Sequence, residues 1–199
     1  MLYLLTAGYD GTWNFVDLPT SSVMTCVKSD FEFSACQVHP DGRIFATGTQ
    51  GNKNGVCVWD ISERQQVHMF EGHTDGVTSI SFSDNGYYMA SGSKDGTARI
   101  WDLRKLKCKE ELSLVENAPV NAVQFDDSGN YLACSAGEKI IVHTAGKQFN
   151  NLVELEGHDG AVSCLRWGKD AHTLYSSGMD GRLMQFKMGD LEDQAEQEE

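Results

Sequence analysis

Short apolar stretches and polar turns alternate along the chain, and the alternation recurs at a nearly constant period. The segments that begin at Phe33, Val77, Val120 and Val162 start 44, 43 and 42 residues apart, and they read FSACQVHPDGRIFATGT, VTSISFSDNGYYMASGS, VNAVQFDDSGNYLACSA and VSCLRWGKDAHTLYSSGM. Apolar runs of roughly 4–8 residues between turns that contain Gly and Asp are typical of β-strands. The pattern therefore predicts a repeated unit made of strands.

The second half of this unit also recurs. The segment SGSKDGTARIWD at 91–102 is similar to AGYDGTWNFVD at 7–17 and to SGMDGRLMQFKM at 177–188. A further apolar stretch follows in the three central units, which gives four strands in about 42 residues. Four antiparallel strands at this period are the blade of a β-propeller.

The repeats divide the chain into five blades. We place them near 2–27, 33–70, 77–114, 120–155 and 162–188, where the first lacks its first strand and the last lacks its fourth. Because propellers have roughly 4–8 blades and unclosed sheets expose apolar faces, this all-β partial propeller is expected to be part of a longer protein. The alternative is a smaller closed ring in which the first strands complete the last blade.

The charge of the chain restricts its partners. The sequence has 16 Lys and Arg against 29 Asp and Glu, a net charge of −13, so we expect no direct binding of nucleic acid. Six of the acids lie within 189–199, and this segment is predicted to be an acidic disordered tail; an acidic docking peptide is the alternative. The basic run at 104–107 is interpreted as an exposed turn.

Membrane, metal and disulfide chemistry are not expected. No apolar run approaches the roughly 18–20 residues of a membrane helix, and MLYLLT has no basic region of a signal peptide. None of the six cysteines forms a C-x-x-C pair, and Cys36 and His39 have no second ligand pair to complete a zinc site. We therefore expect a reduced intracellular protein without a cofactor.

His73, Ser91 and Asp95 have the residue types of a catalytic triad, but their setting favours another role. Glu71-Gly72-His73 and Glu156-Gly157-His158 share one position of the repeat, and Trp59-Asp60 and Trp101-Asp102 share another. These dipeptides, in register at a near-fixed period, resemble those of the WD-repeat family. No G-x-S-x-G nucleophile motif accompanies the serine.

The resemblance implies structural roles for the triad residues. In WD repeats, a Gly-His histidine, a Ser or Thr, a turn Asp and a Trp form a hydrogen-bonded chain within one blade. One complete set is expected at His73, Ser91, Asp95 and Trp101. A second set is expected at His158, Ser177 and Asp180, where Phe186 replaces the Trp. No catalytic residue is expected.

The other two central blades depart from this pattern. The blade at 33–70 has Thr47 and Trp59 but a long turn at 50–55. The blade at 120–155 has Glu138 and Lys139 where the turn Asp would be. We expect these blades to depend more on apolar packing.

A stiff propeller would present its loops to protein partners. The residues that follow the Gly-His pairs or adjoin the turn Asp are the partner-binding candidates, and ordinary solvated loop residues are the alternative interpretation. The candidates are Tyr9, Asn52, Lys53, Thr74, Asp75, Lys94, Asp159 and Met179.

A closer resemblance covers nearly all of 2–188. The stretches YLLTAGYDGTWNFVD, CQVHPDGRIFATGT, FSDNGYYMASGSKDGTARIWDLRKLK, FDDSGNYLACSAG and SSGMDGRL resemble the carboxyl-terminal, seven-bladed propeller of spliceosome-associated U-box ubiquitin ligases. This resemblance implies that the protein is nuclear, and an additional cytoplasmic location is the alternative. It also implies protein partners that are splicing-complex components or ubiquitination substrates. The U-box and the oligomerising coiled coil of that family are outside this sequence, so ligase activity is not expected of the chain alone. A generic WD-repeat adaptor in another intracellular complex is the second hypothesis.

Overall fold

The structure is a computed structural model that describes residues 2–115 and 118–187, and it consists almost wholly of β-strands. One short 3-10 helix, Lys169–Ala171, is the only helix among these residues. The acidic segment 189–199 lies outside the described residues. The strands are β1 (Tyr3–Ala7), β2 (Thr12–Asp17), β3 (Ser22–Lys28), β4 (Glu32–Val38), β5 (Ile44–Gln50), β6 (Gly55–Asp60), β7 (Gln65–Glu71), β8 (Val77–Phe82), β9 (Tyr88–Ser93), β10 (Thr97–Asp102), β11 (Lys107–Ser113), β12 (Val120–Phe125), β13 (Tyr131–Ala136), β14 (Lys139–Thr144), β15 (Asn151–Leu155), β16 (Val162–Trp167), β17 (Thr173–Gly178) and β18 (Leu183–Lys187).

The strands form five antiparallel sheets in chain order. Sheet 1 contains β1–β3, sheet 2 β4–β7, sheet 3 β8–β11, sheet 4 β12–β15 and sheet 5 β16–β18. The predicted fold class, an all-β partial propeller with four-stranded blades, is thereby confirmed. Because β1–β3 form a sheet of their own, the described strands do not complete sheet 5 as the smaller-ring alternative required.

Tight turns join the strands where glycine permits them. Gly42 and Gly86 have φ values of 71° and 68°, a region that residues with a Cβ rarely adopt. Each donates its amide to the carbonyl three residues earlier, at 2.9 Å. These turns reverse the chain between the first and second strands of sheets 2 and 3.

The core lies between neighbouring sheets. Buried side chains from sheets 3 and 4, such as Ile100, Val123 and Leu132, meet in one cluster. Sheets 2, 3 and 4 are inner sheets, because each lies between two others, and their second strands, such as β9, are buried on both faces. In sheet 5, β17 has both buried and exposed residues. Tyr175 of β17 is 38% exposed because no described sheet covers that face.

Hydrogen bonds also join one sheet to the next through their first strands. The hydroxyl of Ser34 donates to the carbonyl of Val77, and that of Thr78 donates to the carbonyl of Val120. The amide side chain of Asn121 donates to the carbonyl of Val162 at 3.0 Å. The same position of the repeat thus bonds to the following sheet at three successive junctions.

The antiparallel order places the loops at two opposite ends of the sheets. We call one end the upper loop surface; it carries the connections between sheets and the turns between second and third strands, at 8–11, 29–31, 51–54, 72–76, 94–96, 137–138, 156–161 and 179–182. The lower loop surface carries the other turns, at 18–21, 39–43, 61–64, 83–87, 103–106, 126–130, 145–150 and 168–172. Within the described ranges, no helix is long and apolar enough to cross a bilayer.

Candidate functional site

A buried chain of hydrogen bonds in sheet 3 lies directly beneath the upper loop surface. His73 Nδ1 is 2.9 Å from Asp95 Oδ2, and His73 Nε2 is 2.8 Å from Ser91 Oγ. Trp101 Nε1 donates to the same hydroxyl oxygen at 2.8 Å. Since an ionised carboxylate only accepts and an indole only donates, Nδ1–H donates to Asp95 and the Ser91 hydroxyl donates to Nε2. The four side chains therefore satisfy one another.

The electrostatics of this network keep Asp95 ionised. Burial alone would raise the pKa of Asp95, but the Thr97 hydroxyl and the amides of Thr74 and Thr97 donate to its carboxylate and lower the pKa to about 2. Burial lowers the pKa of His73, against the opposing effect of Asp95. Ser91 is fully buried, so its hydroxyl has no access to a substrate. The arrangement bonds the four side chains to one another inside the sheet.

Sheet 5 repeats three members of the network, and it corrects one sequence assignment. His158 Nδ1 is 3.0 Å from Asp180 Oδ2, and His158 Nε2 is 2.7 Å from the hydroxyl of Ser176, not of Ser177. Ser176 precedes Asp180 by four residues, the spacing of Ser91 and Asp95. Ser177 points to the other face of the strand, because side chains alternate, and its hydroxyl lies 3.1 Å from that of Ser163.

The amide of Arg182 is the main cause that lowers the pKa of Asp180 to about 2, and His158 contributes to the same shift. Phe186 pairs with Leu174 in the register that Trp101 and Met89 share. It therefore takes the indole position without providing a donor.

Sheets 2 and 4 keep less of the network. In sheet 2, Trp59 Nε1 donates to the Thr47 hydroxyl at 2.9 Å. In sheet 4, the register places Cys134 at the Ser91 position and His143 at the Trp101 position. Alignment of KIIVHT with TARIWD could have revealed this histidine, which sequence reasoning missed.

His143 is 5% exposed, and neither of its ring nitrogens has a hydrogen-bond partner among the described residues. Burial lowers its pKa to about 4. Cys134 is fully buried, and burial raises the pKa of its thiol. Sheet 4 thus contains a neutral imidazole and a neutral thiol where sheet 3 contains a satisfied hydrogen-bond network.

The two complete histidine–aspartate pairs also hold the loops above them. Asp95 Oδ2 accepts from the amide of Thr74 at 2.9 Å, and Asp180 Oδ2 accepts from the amide of Asp159 at 3.1 Å. The first residue after each Gly-His pair is therefore fixed by the carboxylate beneath it. The carboxylates that bond to the buried histidines therefore also fix the position of the exposed loops on the upper loop surface.

The candidate binding residues are all exposed on the upper loop surface, and two clusters form there. In the first, the amide of Lys94 donates to the carbonyl of Gly76 at 3.0 Å, and Asn54 Nδ2 donates to the carbonyl of Thr74 at 3.1 Å, which joins the turns of sheets 2 and 3. This cluster contains Asn52, Lys53, Thr74, Asp75 and Lys94.

The second cluster lies above sheet 5. The amide of Met179 donates to the carbonyl of Ala161 at 2.8 Å, and Arg182 Nη1 is 2.7 Å from Asp159 Oδ2. Met179 is 78% exposed, and Tyr9 stands apart on sheet 1 with 63% exposure. Sequence reasoning did not single out Arg182, because its partner Asp159 is 23 positions away in the sequence.

The first strands of sheets 2–5, which are β4, β8, β12 and β16, line a cavity of about 300 Å³. Its described lining includes Cys36 and Cys164 but no His, Asp or Glu that could act as a general base. Within 2–115 and 118–187, no three His, Cys, Asp or Glu side chains are grouped to hold a metal ion.

Comparison with protein families identifies the repeats. The family described as WD domain, G-beta repeat matches residues 20–60, 64–102 and 149–187. Each match runs from the last strand of one sheet to the third strand of the next. The unmatched residues 103–148 include most of sheet 4, where Cys134 and His143 replace the usual residue types.

Comparison with curated proteins extends the similarity over nearly the whole chain. It is 39% identical over 193 residues to pre-mRNA-processing factor 19 homolog 2 of Arabidopsis thaliana, covering 92% of this chain and 35% of that protein. It is 38% identical over 189 residues to pre-mRNA-processing factor 19 of Bos taurus, covering 94% and 37%. WD repeat-containing protein 37 of Xenopus laevis is 28% identical over 194 residues, covering 88% and 37%.

The chain thus spans about a third of the length of these curated relatives. These similarities confirm the resemblance drawn from the Gly-His and Trp-Asp positions.

Proposed function

The chain belongs to the WD-repeat family, and on that premise we propose that it recognises protein partners in pre-mRNA splicing and protein ubiquitination as a propeller of the pre-mRNA-processing factor 19 type. The observation that supports this proposal most strongly is the pair of carboxylates that anchor exposed loops. Asp95 and Asp180 each bond to a buried histidine and to a loop amide, so the loops are held in place before a partner arrives. Preorganised loops lose less conformational entropy on binding.

The upper loop surface carries both charged and apolar side chains. Lys94 and Asp75 are exposed on adjoining loops of sheet 3, and the Lys53 ammonium lies 6.0 Å from the centre of the Phe31 ring. Met179 and Tyr9 add exposed apolar area. Interfaces between proteins combine apolar anchors with a polar rim, and this surface has both.

The similarity to pre-mRNA-processing factor 19 proteins directs the proposal toward splicing. Under it, the chain works in the nucleus, and ligase activity belongs to parts of the whole protein other than these repeats. The chain itself acts by binding, and its partners are splicing-complex components or proteins marked for ubiquitination.

A double charge reversal on the upper loop surface tests the proposal without altering net charge. The D75K/K94E variant is expected to capture splicing-complex components from nuclear extract about tenfold less well than the unaltered chain, because rim charges guide association. Capture is measured by quantitative mass spectrometry on the immobilised, full 199-residue chain. The matched control, E63K/R64E, changes two exposed charges on the lower loop surface. Undiminished capture by a folded D75K/K94E variant would contradict the proposal.

A generic WD-repeat adaptor is the second candidate, favoured by the similarity to WD repeat-containing protein 37. The same capture experiment separates the two. Capture of other proteins that is reduced in D75K/K94E, with no splicing components captured by either protein, would favour the adaptor.

A further inference from the structure

A basic surface lies on the lower loop surface of sheet 3, at the opposite end from the proposed binding loops. The turn between β10 and β11 carries Arg104 and Lys105, and β11 adds Lys107 and Lys109. Lys147, on the corresponding turn of sheet 4, is exposed beside them. Five of the 16 basic residues are gathered here, on a chain with a net charge of −13.

Aromatic rings hold two of these cations in place. The Arg104 guanidinium lies 4.5 Å from the ring centre of Tyr87 and 5.7 Å from that of Tyr88. The Lys109 ammonium lies 4.6 Å from the ring centres of both Tyr88 and Phe149. Its Nζ also donates to the carbonyl of Gly146 at 2.8 Å. Cation–π contacts of this kind fix charged side chains that would otherwise move freely in solvent.

The local acids do not neutralise the surface. Asp102 is paired with Arg104 at 3.2 Å, and Glu110 accepts from the amide of Phe149 at 3.3 Å. Within the described ranges, Lys105, Lys107 and Lys147 have no ion-pair partner, and all three are exposed. Burial lowers the pKa of Lys109 against the opposing effects of Glu110 and Asp102, and Arg104 and Lys105 add smaller effects in the same direction as burial. Positive charges are therefore crowded together on a fixed aromatic base.

We propose that this basic–aromatic surface, formed by Tyr87, Tyr88, Arg104, Lys105, Lys107 and Lys109, binds an acidic, carboxylate-rich segment of a partner protein. Carboxylates complement its free ammonium groups, and the half-exposed Tyr87 ring, 49% accessible, offers apolar contact to the peptide backbone. A nucleic acid would fit less well, since a continuing phosphate chain would meet exposed acids on neighbouring turns, among them Asp84 and Asp127. A flexible acidic segment can place its few carboxylates on the ammonium groups and turn away from these acids.

This inference goes beyond the proposed function because it concerns the opposite end of the sheets. It is tested with the full chain and a fluorescein-labelled synthetic peptide of ten residues that contains only Asp, Glu and Gly. Fluorescence anisotropy measures binding at low and at physiological ionic strength. The K105E/K107E variant is expected to bind the peptide about tenfold more weakly or worse, and binding by the unaltered chain should fall as salt is added.

The matched control is K53E/K94E, which makes the same charge change on the upper loop surface and should bind within about twofold of the unaltered chain. Circular dichroism checks that both variants are folded. Equal loss in both variants would overturn the proposal, because the effect would then reflect net charge alone.

Two further outcomes would assign the surface to another ligand. A single-stranded RNA of ten nucleotides that binds more tightly than the peptide, and loses affinity in K105E/K107E, would overturn the peptide assignment. Binding that is seen only after removal of 188–199 would assign the surface to the acidic segment of the chain itself. D75K/K94E leaves this surface unchanged, so the failure of one proposal is distinguishable from the failure of the other.

Discussion

At the scale of single residues, two aspartates connect the interior of the molecule with its exposed loops. Asp95 accepts hydrogen bonds from the His73 ring, from the Thr97 hydroxyl and from the amide of Thr74. Removal of such an acceptor leaves buried donors without a partner, which costs more than a typical hydrogen bond contributes. The side chain that stabilises the blade is therefore also the one that shapes the loop above it.

Replacement of Asp95 by Ala is expected to lower the free energy of unfolding by roughly 1–3 kcal/mol, because the His73 Nδ1–H and the Thr74 amide lose their acceptor. Urea denaturation followed by circular dichroism measures the change. Asp84→Ala, at an exposed turn position of the same sheet, is the control and should have little effect. An unaltered midpoint in Asp95→Ala would refute the buried-network account.

At the scale of elements, each sheet depends on a different mixture of hydrogen bonding and packing. Sheet 3 has the complete network, whereas β13 and β14 of sheet 4 place Cys134 and His143 at the corresponding positions. Ile140, Val142 and Leu155 of sheet 4 pack with Leu165 and Leu174 of sheet 5, so apolar contact holds this sheet in place. The buried imidazole then makes the stability of sheet 4 sensitive to acid.

The pH dependence follows from the pKa of His143. It is about 4 in the folded chain and about 6.5 when unfolded, so the unfolded state binds the proton more readily. Stability from the neutral ring is fully present above pH 6.5 and is lost as pH falls toward 4, by as much as roughly 3 kcal/mol. His143→Phe, which copies Phe186 of sheet 5, should lose less stability over this range.

Thermal unfolding of both proteins between pH 7 and pH 4 measures this difference. His68→Phe, at a less buried position of β7, is the control for removal of one histidine. If His143→Phe and the unaltered chain lost stability in parallel, the neutral buried imidazole would be excluded as the cause.

The repeat pattern predicts elements better than it predicts contacts. Turn glycines and apolar runs predict an all-β fold, which is confirmed, because strand period and turn chemistry are local properties. The choice of Ser177 instead of Ser176 was wrong because two serines adjoin, and a slip of one residue moves a side chain to the other face.

Contacts between distant residues left no local signal. The basic run at 104–107 is predicted to be an exposed turn, and it is one as far as Leu106, whereas Lys107 begins β11. The rings beneath the basic surface come from Tyr88 and Phe149, which are far apart in sequence. The bonds from Ser34 to Val77 and from Thr78 to Val120 likewise require the placement of a neighbouring sheet. Such pairs become visible only when the sheets are assembled.

At the scale of the whole molecule, five sheets packed side by side create two separate loop surfaces. The upper surface is held by the histidine–aspartate pairs, and the lower surface carries the basic–aromatic surface over sheet 3. Because no residue is shared between the two, their effects on binding should be independent. Packing between sheets is the property on which both depend.

Hydrogen exchange of the backbone amides, measured peptide by peptide with mass spectrometry, tests this packing most directly. The second strands of the inner sheets, β5, β9 and β13, are buried almost throughout and should exchange slowest, whereas β1 and β17, each with an exposed face, should exchange faster. Exchange in β9 as fast as in β17 would contradict an array of face-to-face sheets.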